Sequence, residues 1–355
     1  MCRQSPPVAD DAEILERVRE LPKAELHVHL DGSLRPATLL ELTREAGGIP
    51  PRDDPKDLRQ YMKAPPAGDL IEYLERFEIT LAAMQTGEAL DRIAYELVED
   101  LAGENVRYAE VRYSPILHTR LGQSARASLD AVLCGIQRGT REFGMRAKVI
   151  LCALRHLSPD VSVEVARLAA AYRDRGVVGF DLAGPERGHP VEQHRSAFAL
   201  AHEANLGVTI HAGEAEGVES IGHAIHICGA HRIGHGTRLF EDQELLEYVR
   251  DFRVPLEVCL LSNVQTGAVR DLGRHPLRQY FDSGLVLSLN TDNRLISGTT
   301  LSEEYRRAHS HLALTWADLS RIALMSFESA FLAWPEKEEL LESVRMEIEE
   351  LRGWT

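Results

Sequence analysis

The sequence predicts an α/β fold, a (β/α)₈ TIM barrel with extra helices after the first strand and at the C-terminus. Eight short apolar runs recur along the chain, separated by segments with the apolar period of an α-helix. This alternation is typical of a parallel sheet, and eight repeats favour closure into a barrel. An open doubly wound sheet is the alternative, but no GxGxxG or GxxxxGK[ST] follows an early strand.

The predicted strands and helices follow one another in order. The strands span 24–29, 106–113, 147–154, 177–182, 207–211, 232–234, 254–259 and 285–290. The helices between them include 161–175, 191–205, 241–249 and 276–282. Two further helices, 316–333 and 336–351, come after the eighth strand.

An insertion separates the first two strands, whose starts lie at residues 24 and 106. Within it, segment 69–84 places Leu70, Leu74, Phe77 and Leu81 on one helical face. This apolar stripe has two interpretations: it packs on the barrel, or it leans over the mouth of a pocket as a lid.

Length and composition indicate a folded globular protein. The chain has 355 residues, of which 44% are hydrophobic and 27% charged. Single barrels reach this length, so we predict an N-terminal extension and helix at 1–21 and one domain at 22–355.

The charge balance excludes several partners. Forty Lys and Arg against 55 Asp and Glu give a net charge of −15, and no basic patch interrupts it, so we expect neither nucleic acid nor a membrane as partner. No apolar run is long enough to span a bilayer and no signal-peptide pattern is present, which predicts a cytoplasmic protein. The five cysteines lack CxxC spacing and fit neither a disulfide framework nor a zinc knuckle. The sequence does not indicate an oligomeric state.

Histidines and acids occur where predicted strands end. His27 and His29 are two apart in the first strand, so both imidazoles point to the same side. His211 ends the fifth strand, with Glu214 three residues later. Asp292 follows the eighth strand. Taken singly, such residues have ordinary explanations, such as a hydrogen-bonded core histidine or a helix N-cap.

Their combination is more informative. Three histidines and one aspartate at the same end of a barrel would converge on one point, and that donor set suits a hydrolytic zinc ion. Glu214 and His235, which ends the sixth strand, are then available for general acid and base catalysis.

Several motifs together resemble the adenosine deaminase family of the metal-dependent amidohydrolase superfamily. They are PKAELHVHLDGS (22–33), YAEVRYSP (108–115), DLAGPE (181–186), HAGE (211–214), RIGHG (232–236), CLLSN (259–263) and SLNTD (288–292). The resemblance runs in family order from about residue 22 to the end of the chain.

The resemblance implies a metal centre. It implies one zinc ion per chain, held by His27, His29, His211 and Asp292, with a water molecule as the nucleophile. The chain has five lysines, and none ends the fourth strand, so the relatives with two metals and a carbamylated lysine are disfavoured.

The resemblance also implies roles for residues around the metal. Glu214 would carry a proton to purine N1, and His235 would orient the water and help to deprotonate it. Asp31 would meet the sugar, and the backbone at Gly184 would contact the purine. The implied reaction converts adenosine or deoxyadenosine and water to inosine or deoxyinosine and ammonia. Adenine and 6-aminodeoxyfutalosine are the alternative substrates.

One position departs from the family pattern. The commoner family form has two consecutive aspartates where this chain reads Asp292-Asn293. The second contacts purine N7, which accepts a hydrogen bond, and the amide of Asn293 can donate one without a titratable proton. Arg294 follows as an expected cation beside the mouth, where many relatives have proline.

Residues in two other motifs carry a structural expectation. Glu110 and Arg112, and the pair Arg155 and His156, are expected to form buried ion pairs that brace the barrel rather than to touch substrate.

Two other classes of protein remain to be weighed. The small zinc deaminases that edit nucleic acids need HxE and PCxxC motifs, and this chain has no CxxC. A non-catalytic, growth-factor-like relative is disfavoured because the set of metal-ligating and acid–base residues is intact.

Overall fold

Eight parallel strands form one sheet in sequence order. The computed structural model describes residues 11–66, 68 and 70–352. Each strand pairs in parallel with the next one along the chain. The strands are β1 (Lys23–His29), β2 (Val106–Tyr113), β3 (Arg146–Leu154), β4 (Val177–Ala183), β5 (Gly207–Ala212), β6 (Arg232–His235), β7 (Leu256–Val258) and β8 (Leu287–Leu289). This order confirms the predicted barrel.

Hydrogen bonds between the residues after β8 and strand β1 close the sheet. The Asp292 backbone N–H donates to the His27 carbonyl at 2.9 Å, and the His29 N–H donates to the Asp292 carbonyl at 2.7 Å. The side-chain oxygen of Asn290 accepts from the Leu26 N–H at 2.9 Å. Asp292 therefore lies directly beside the two histidines of β1.

Helices surround the strands and fill the insertion. They are α1 (Asp11–Glu20), α2 (Pro36–Glu45), α3 (Pro55–Met62), α4 (Leu70–Glu75), α5 (Phe77–Ala83), α6 (Gly87–Ala102), α7 (Ala125–Phe143), α8 (Pro159–Ala171), α9 (Arg195–Glu203), α10 (Val218–His226), α11 (Gln243–Asp251), α12 (Leu260–Gln265), α13 (Leu277–Asp282), α14 (Leu301–Leu312), α15 (Trp316–Glu328) and α16 (Trp334–Arg352). Short 3₁₀ turns occur at Pro115–His118, Arg173–Arg175, Val191–His194, Leu239–Glu241 and Leu272–Arg274, and a π-helical turn at Arg294–Gly298. Helices α2 to α6 form the insertion after β1, and α15 and α16 are the extra C-terminal helices. No helix in the described part of the chain is both long and apolar enough to cross a membrane.

Helix α1 packs against α14 and buries Ile14 and Val18. The guanidinium of Arg17 lies 4.4 Å from the centre of the Trp316 ring. The helical half of the predicted 1–21 extension is thus joined to the barrel, while residues 1–10 lie outside the described residues.

Buried charges occupy the barrel interior. Arg112 is completely buried, with Asp181 at 3.0 Å and Glu257 at 2.9 Å. Arg232 pairs with both Glu110 and Glu257. The expectation of buried ion pairs is therefore confirmed for Glu110 and Arg112.

The same expectation is wrong for the pair after β3. Arg155 donates to the backbone carbonyls of His189 and His211. Its neighbour His156 lines the main cavity. The reason is that β3 ends beside the mouth of the barrel, where His156 leaves the core.

The described cysteines are free. Cys152, Cys228 and Cys259 are buried and Cys134 is exposed, whereas Cys2 lies outside the described residues.

Candidate active site

Four predicted ligands come together at the carboxyl end of the barrel. One donor atom from each of His27, His29, His211 and Asp292 lies within 4.8 Å of the others, and all four residues are buried. The Nε2 atoms of His29 and His211 are 3.2 Å apart. Asp292 Oδ1 lies 3.5 Å from His27 Nε2 and 3.4 Å from His29 Nε2.

Two carboxylates orient the imidazoles. His27 Nδ1–H donates to Glu257 Oε2 at 2.9 Å, and His211 Nδ1–H donates to Asp181 Oδ1 at 3.1 Å. The Nε2 lone pairs of both histidines therefore point into the cluster. His27 Nε2 is buried and has no hydrogen-bond partner. An orphaned lone pair beside two further imidazoles and a carboxylate fits a bound divalent metal.

Asp292 is held in an unusual backbone conformation. Its φ of 58° and the φ of 65° at His235 lie in the left-handed region, which is uncommon for residues other than glycine. Asp292 Oδ2 accepts a hydrogen bond from Ser262 Oγ at 2.5 Å. Burial raises the pKa of Asp292, but the surrounding histidines outweigh burial and hold it well below its usual range. Asp292 is thus ionised at neutral pH, the form in which a carboxylate binds a metal.

Glu214 lies beside the cluster and keeps its proton. Burial, followed by repulsion from Asp292, raises the pKa of Glu214 to about 8. Its Oε2 is 3.6 Å from His235 Nε2. The loop that carries Glu214 is fixed by Glu186, whose carboxylate accepts the backbone N–H groups of residues 213–216 and the Ser220 hydroxyl.

His235 stands against the histidine cluster. Its ring centre is 4.9 Å from that of His27 and 5.1 Å from that of His211. Burial, followed by repulsion from His211, lowers the pKa of His235 to about 4. At neutral pH the ring is therefore uncharged.

A cavity of about 370 Å³ opens above these residues. This volume is within the range of small-molecule sites. Its walls include the predicted substrate residues Asp31, Gly184 and Asn293. Burial raises the pKa of Asp31 to about 7. Gly184 has a φ of 96°, and a Cβ there would lie 3.3 Å from His156 Nδ1, so this backbone segment requires glycine.

Asn293 and Arg294 point in different directions. Asn293 packs so tightly on Gly32 that a Cβ at Gly32 would lie 1.8 Å from Asn293 Oδ1. Arg294 does not line the cavity; its guanidinium pairs with Glu104 at 2.6 Å. The expectation of a cation beside the mouth is therefore wrong, because Glu104, a partly buried acid, pairs with Arg294 away from the cavity.

The insertion covers the cavity. Leu70, Leu74, Phe77 and Leu81, the predicted apolar stripe, all line it. The segment is divided at Arg76 into α4 and α5 rather than forming one helix, and Asp69 lies outside the described residues. This position supports the second interpretation, an apolar cover over the pocket mouth.

Comparison with known proteins identifies the family. The family model described as adenosine deaminase matches residues 22–347. A relative named adenosine deaminase, from Mycobacterium ulcerans (strain Agy99), is 42% identical over 352 residues, covering 94% of this chain and 97% of the relative. The chain belongs to the adenosine deaminase family. Family membership confirms the predicted enzyme class, a hydrolase that acts on C–N bonds.

Solved structures of deaminases and amidohydrolases share the fold. The adenine deaminase from Arthrobacter aurescens superposes with a TM-score of 0.86 at 28% identity, covering 93% of this chain and 99% of that one. An amidohydrolase from Burkhoderia ambifaria with bound Zn gives a TM-score of 0.88 at 25% identity, covering 98% and 96% of the two chains.

Sequence reasoning missed the residues that orient the histidines of this site. Asp181 and Glu257 were not predicted to act on histidines, although a lone acid within a buried apolar strand is a usable signal. Asn263 was also missed; its Nδ2 donates to His235 Nδ1 at 2.9 Å. Nothing in the local sequence connects it with His235, 28 residues away.

Proposed function

We propose that this chain is a zinc-dependent deaminase of a 6-aminopurine nucleoside, converting adenosine or deoxyadenosine to inosine or deoxyinosine with release of ammonia. The observation that carries the proposal is a buried carboxyl group, Glu214, beside a buried cluster of three histidines and one aspartate. Family membership supports the same reaction.

One zinc ion per chain would be held by His27, His29, His211 and Asp292. Three imidazoles and one carboxylate suit zinc, and the Burkhoderia amidohydrolase supports this choice of metal. Zinc at this site would lower the pKa of a water molecule toward about 7 and so supply the nucleophile.

Glu214 would supply the proton that the purine ring needs. Addition of water at C6 breaks the aromaticity of the ring, so N1 must be protonated as the C–O bond forms. Because Glu214 keeps its proton at neutral pH, its carboxyl group can donate to N1. A positioned acid of this kind typically contributes about 10²- to 10⁴-fold in rate.

The remaining wall residues would orient the nucleoside. Asp31 would accept a hydrogen bond from a sugar hydroxyl, the backbone at Gly184 would contact the purine, and the Asn293 amide would donate to N7. All three line the cavity. His235 would orient the attacking water.

The charge of the cavity favours an uncharged substrate. Among the described lining residues there is no Lys or Arg, and the exposed carboxylate of Glu75 adds negative charge, whereas Glu78 is paired with Arg120 at 2.9 Å. A nucleotide phosphate would be repelled there, whereas a nucleoside or a free base would not. The Arthrobacter neighbour keeps adenine as the alternative substrate, with 6-aminodeoxyfutalosine as a second alternative.

A panel assay tests the proposal. Ammonia release by the zinc-loaded protein would be measured with adenosine, deoxyadenosine, adenine and 6-aminodeoxyfutalosine, with Glu214→Gln as the blank. We expect kcat/KM to be highest for adenosine or deoxyadenosine. A higher value for adenine or 6-aminodeoxyfutalosine would replace the proposed substrate, and no release from any of them would refute the activity.

A further inference from the structure

A chain of buried side chains behind His235 leads away from the cavity. The Leu277 backbone N–H lies 3.0 Å from His275 Nδ1, and His275 Nε2 lies 3.1 Å from Asn263 Oδ1. Asn263 Nδ2 lies 2.9 Å from His235 Nδ1. The three side chains are at most 4% exposed, so each of these contacts is shielded from water.

The backbone N–H fixes the direction of every hydrogen bond in this chain. A backbone N–H can only donate, so His275 Nδ1 must accept and His275 Nε2 must carry the proton. His275 Nε2–H then donates to Asn263 Oδ1. The amide nitrogen of Asn263 therefore faces His235 and donates to its Nδ1. With Nδ1 as acceptor, the neutral ring carries its proton on Nε2.

A reversed Asn263 amide and a doubly protonated histidine are both excluded. If the Asn263 amide were reversed, its NH₂ group would face His275 Nε2, and both nitrogens of His275 would have to accept, which a neutral imidazole cannot do. A doubly protonated His275 would put an N–H against the Leu277 N–H. A doubly protonated His235 would likewise oppose the Asn263 N–H.

The metal-site histidines show the contrasting case. His27 and His211 have carboxylates against Nδ1, so their Nε2 atoms carry lone pairs. His235 stands against both rings, yet it has a donor at Nδ1. A carboxylate at Nδ1 therefore leaves the Nε2 lone pairs of His27 and His211 free to bind a metal. A donor at Nδ1 puts the proton of His235 on Nε2, so His235 is unable to bind a metal there.

We infer that Asn263 and His275 are positioning residues that hold His235 with its proton on Nε2, so that this nitrogen donates a hydrogen bond to the attacking water and does not take its proton. The inference rests on the proposed function for the identity of the group that His235 faces. It replaces the expectation that His235 helps to deprotonate the water.

The tautomer is measured directly by ¹⁵N NMR of the zinc-loaded, full-length protein with labelled histidine. The His235 signals are assigned by their loss in His235→Gln. We expect a shift typical of an unprotonated nitrogen at Nδ1 and of a protonated one at Nε2. A protonated Nδ1 would overturn the inference. This readout needs no turnover, so absence of deamination would count against the proposed function and not against the tautomer.

Two variants connect the tautomer with catalysis. Asn263→Asp keeps the size of the side chain, but an ionised Asp can only accept a hydrogen bond, so the proton of His235 should move to Nδ1. We expect kcat to fall about 10²-fold or more and KM to stay within about threefold of the wild type. For comparison, exchange of the residue that sets the histidine tautomer in a catalytic triad costs about 10⁴-fold in kcat. His275→Gln keeps an amide donor and should retain the Nε2–H tautomer, with a loss in kcat below about tenfold.

The outcomes are separable from a fold defect. A merely structural role would lower the melting temperature of Asn263→Asp without moving the proton or separating kcat from KM. Unchanged kcat in Asn263→Asp, or an unchanged tautomer, would overturn the inference. If Asn263→Asp does not fold, the wild-type spectrum still decides the outcome.

Discussion

At the residue scale, the site depends on where protons reside at neutral pH. Glu214 is buried beside an ionised aspartate, which favours its neutral form. Glu257 and Asp181 accept from His27 and His211 and remain ionised, because Arg112 lies between the two acids. Glu214 is therefore neutral where Glu257 and Asp181 are ionised, so that one carboxyl group can donate a proton while the other two orient His27 and His211.

Removing the proton of Glu214 tests its role as the acid. Glu214→Gln keeps the shape of the side chain but cannot deliver a proton to N1, so kcat should fall about 10²-fold or more while substrate still binds. Steady-state kinetics and calorimetric binding measure the two effects. Glu219→Gln, an exposed acid on α10, serves as the control and should leave both unchanged. Weakened binding with normal turnover would make Glu214 a specificity residue.

Asn293 is tested through the substrate. If its amide donates to N7, replacing N7 by carbon leaves a buried donor unpaired at a cost of about 1 to 3 kcal/mol. We expect kcat/KM to be roughly ten- to a hundredfold lower for 7-deazaadenosine than for adenosine. Asn293→Asp should retain part of the activity at low pH and lose it as pH rises, because only a protonated Asp donates. Equal efficiency with both substrates at every pH would show that Asn293 does not read N7.

At the element scale, the cover over the cavity is attached to the segment that follows β8. Tyr73 of α4 reaches down so that its hydroxyl lies 2.7 Å from Ser297 Oγ in the π-helical turn after β8. Apolar side chains on the same helix and on α5 close the mouth. This hydrogen bond joins the insertion to the segment that also carries Asn293.

Loss of that hydrogen bond should loosen the cover. Tyr73→Phe removes one buried bond worth about 1 kcal/mol, so we expect KM for adenosine to rise about fivefold with a smaller change in kcat. Tyr61→Phe, at an exposed tyrosine of α3, is the matched control. An unchanged KM in Tyr73→Phe would mean that the cover is held by apolar packing alone.

The accuracy of the predicted elements follows the strength of the local signal. Strand 106–113 matches β2, because all its residues except Arg107 are buried in the sheet. The seventh and eighth strands are shorter than predicted, at Leu256–Val258 and Leu287–Leu289. An apolar run does not show how many of its residues pair with a neighbouring strand. The helix predicted over 191–205 is divided into a 3₁₀ turn and α9, because the helical period of apolar residues does not show where a 3₁₀ turn passes into an α-helix.

At the scale of the whole molecule, the sequence predicted what periodicity and strand order determine. His27 and His29 share a side because a strand alternates, and Asp292 joins them because the barrel closes from β8 to β1. The partners of these residues could not be predicted. Glu257 meets His27 across 230 residues, and Arg294 is turned away by Glu104, which no local pattern shows. The single domain at 22–355 and the cytoplasmic location stay predictions.

Buried neutral histidines should make the fold sensitive to acid. Burial lowers the pKa of His118 to about 4, and its Nδ1–H donates to the Met84 carbonyl. Below pH 6.5 His118 is protonated in the unfolded chain. In the folded chain it stays neutral until the pH falls to about 4. Stability from this group is therefore present above pH 6.5 and is lost as pH falls toward 4.

Urea unfolding at pH 6.5 and pH 5 measures this effect. His118→Asn keeps a donor for the Met84 carbonyl but does not titrate, so its free energy of unfolding should fall between the two pH values by about 1.5 kcal/mol less than that of the wild type. His311→Asn, at an exposed histidine, should follow the wild type. Parallel losses in His118→Asn and the wild type would show that His118 is protonated in the folded state.

Metal content and turnover of His211→Ala, measured together, test the central claim most directly, namely that one metal held by His27, His29, His211 and Asp292 supports deamination. We expect one zinc per chain and adenosine turnover in the wild type and in the exposed control His311→Ala, and loss of both in His211→Ala, because three ligands no longer complete the site. Full zinc content together with full turnover in His211→Ala would contradict the account.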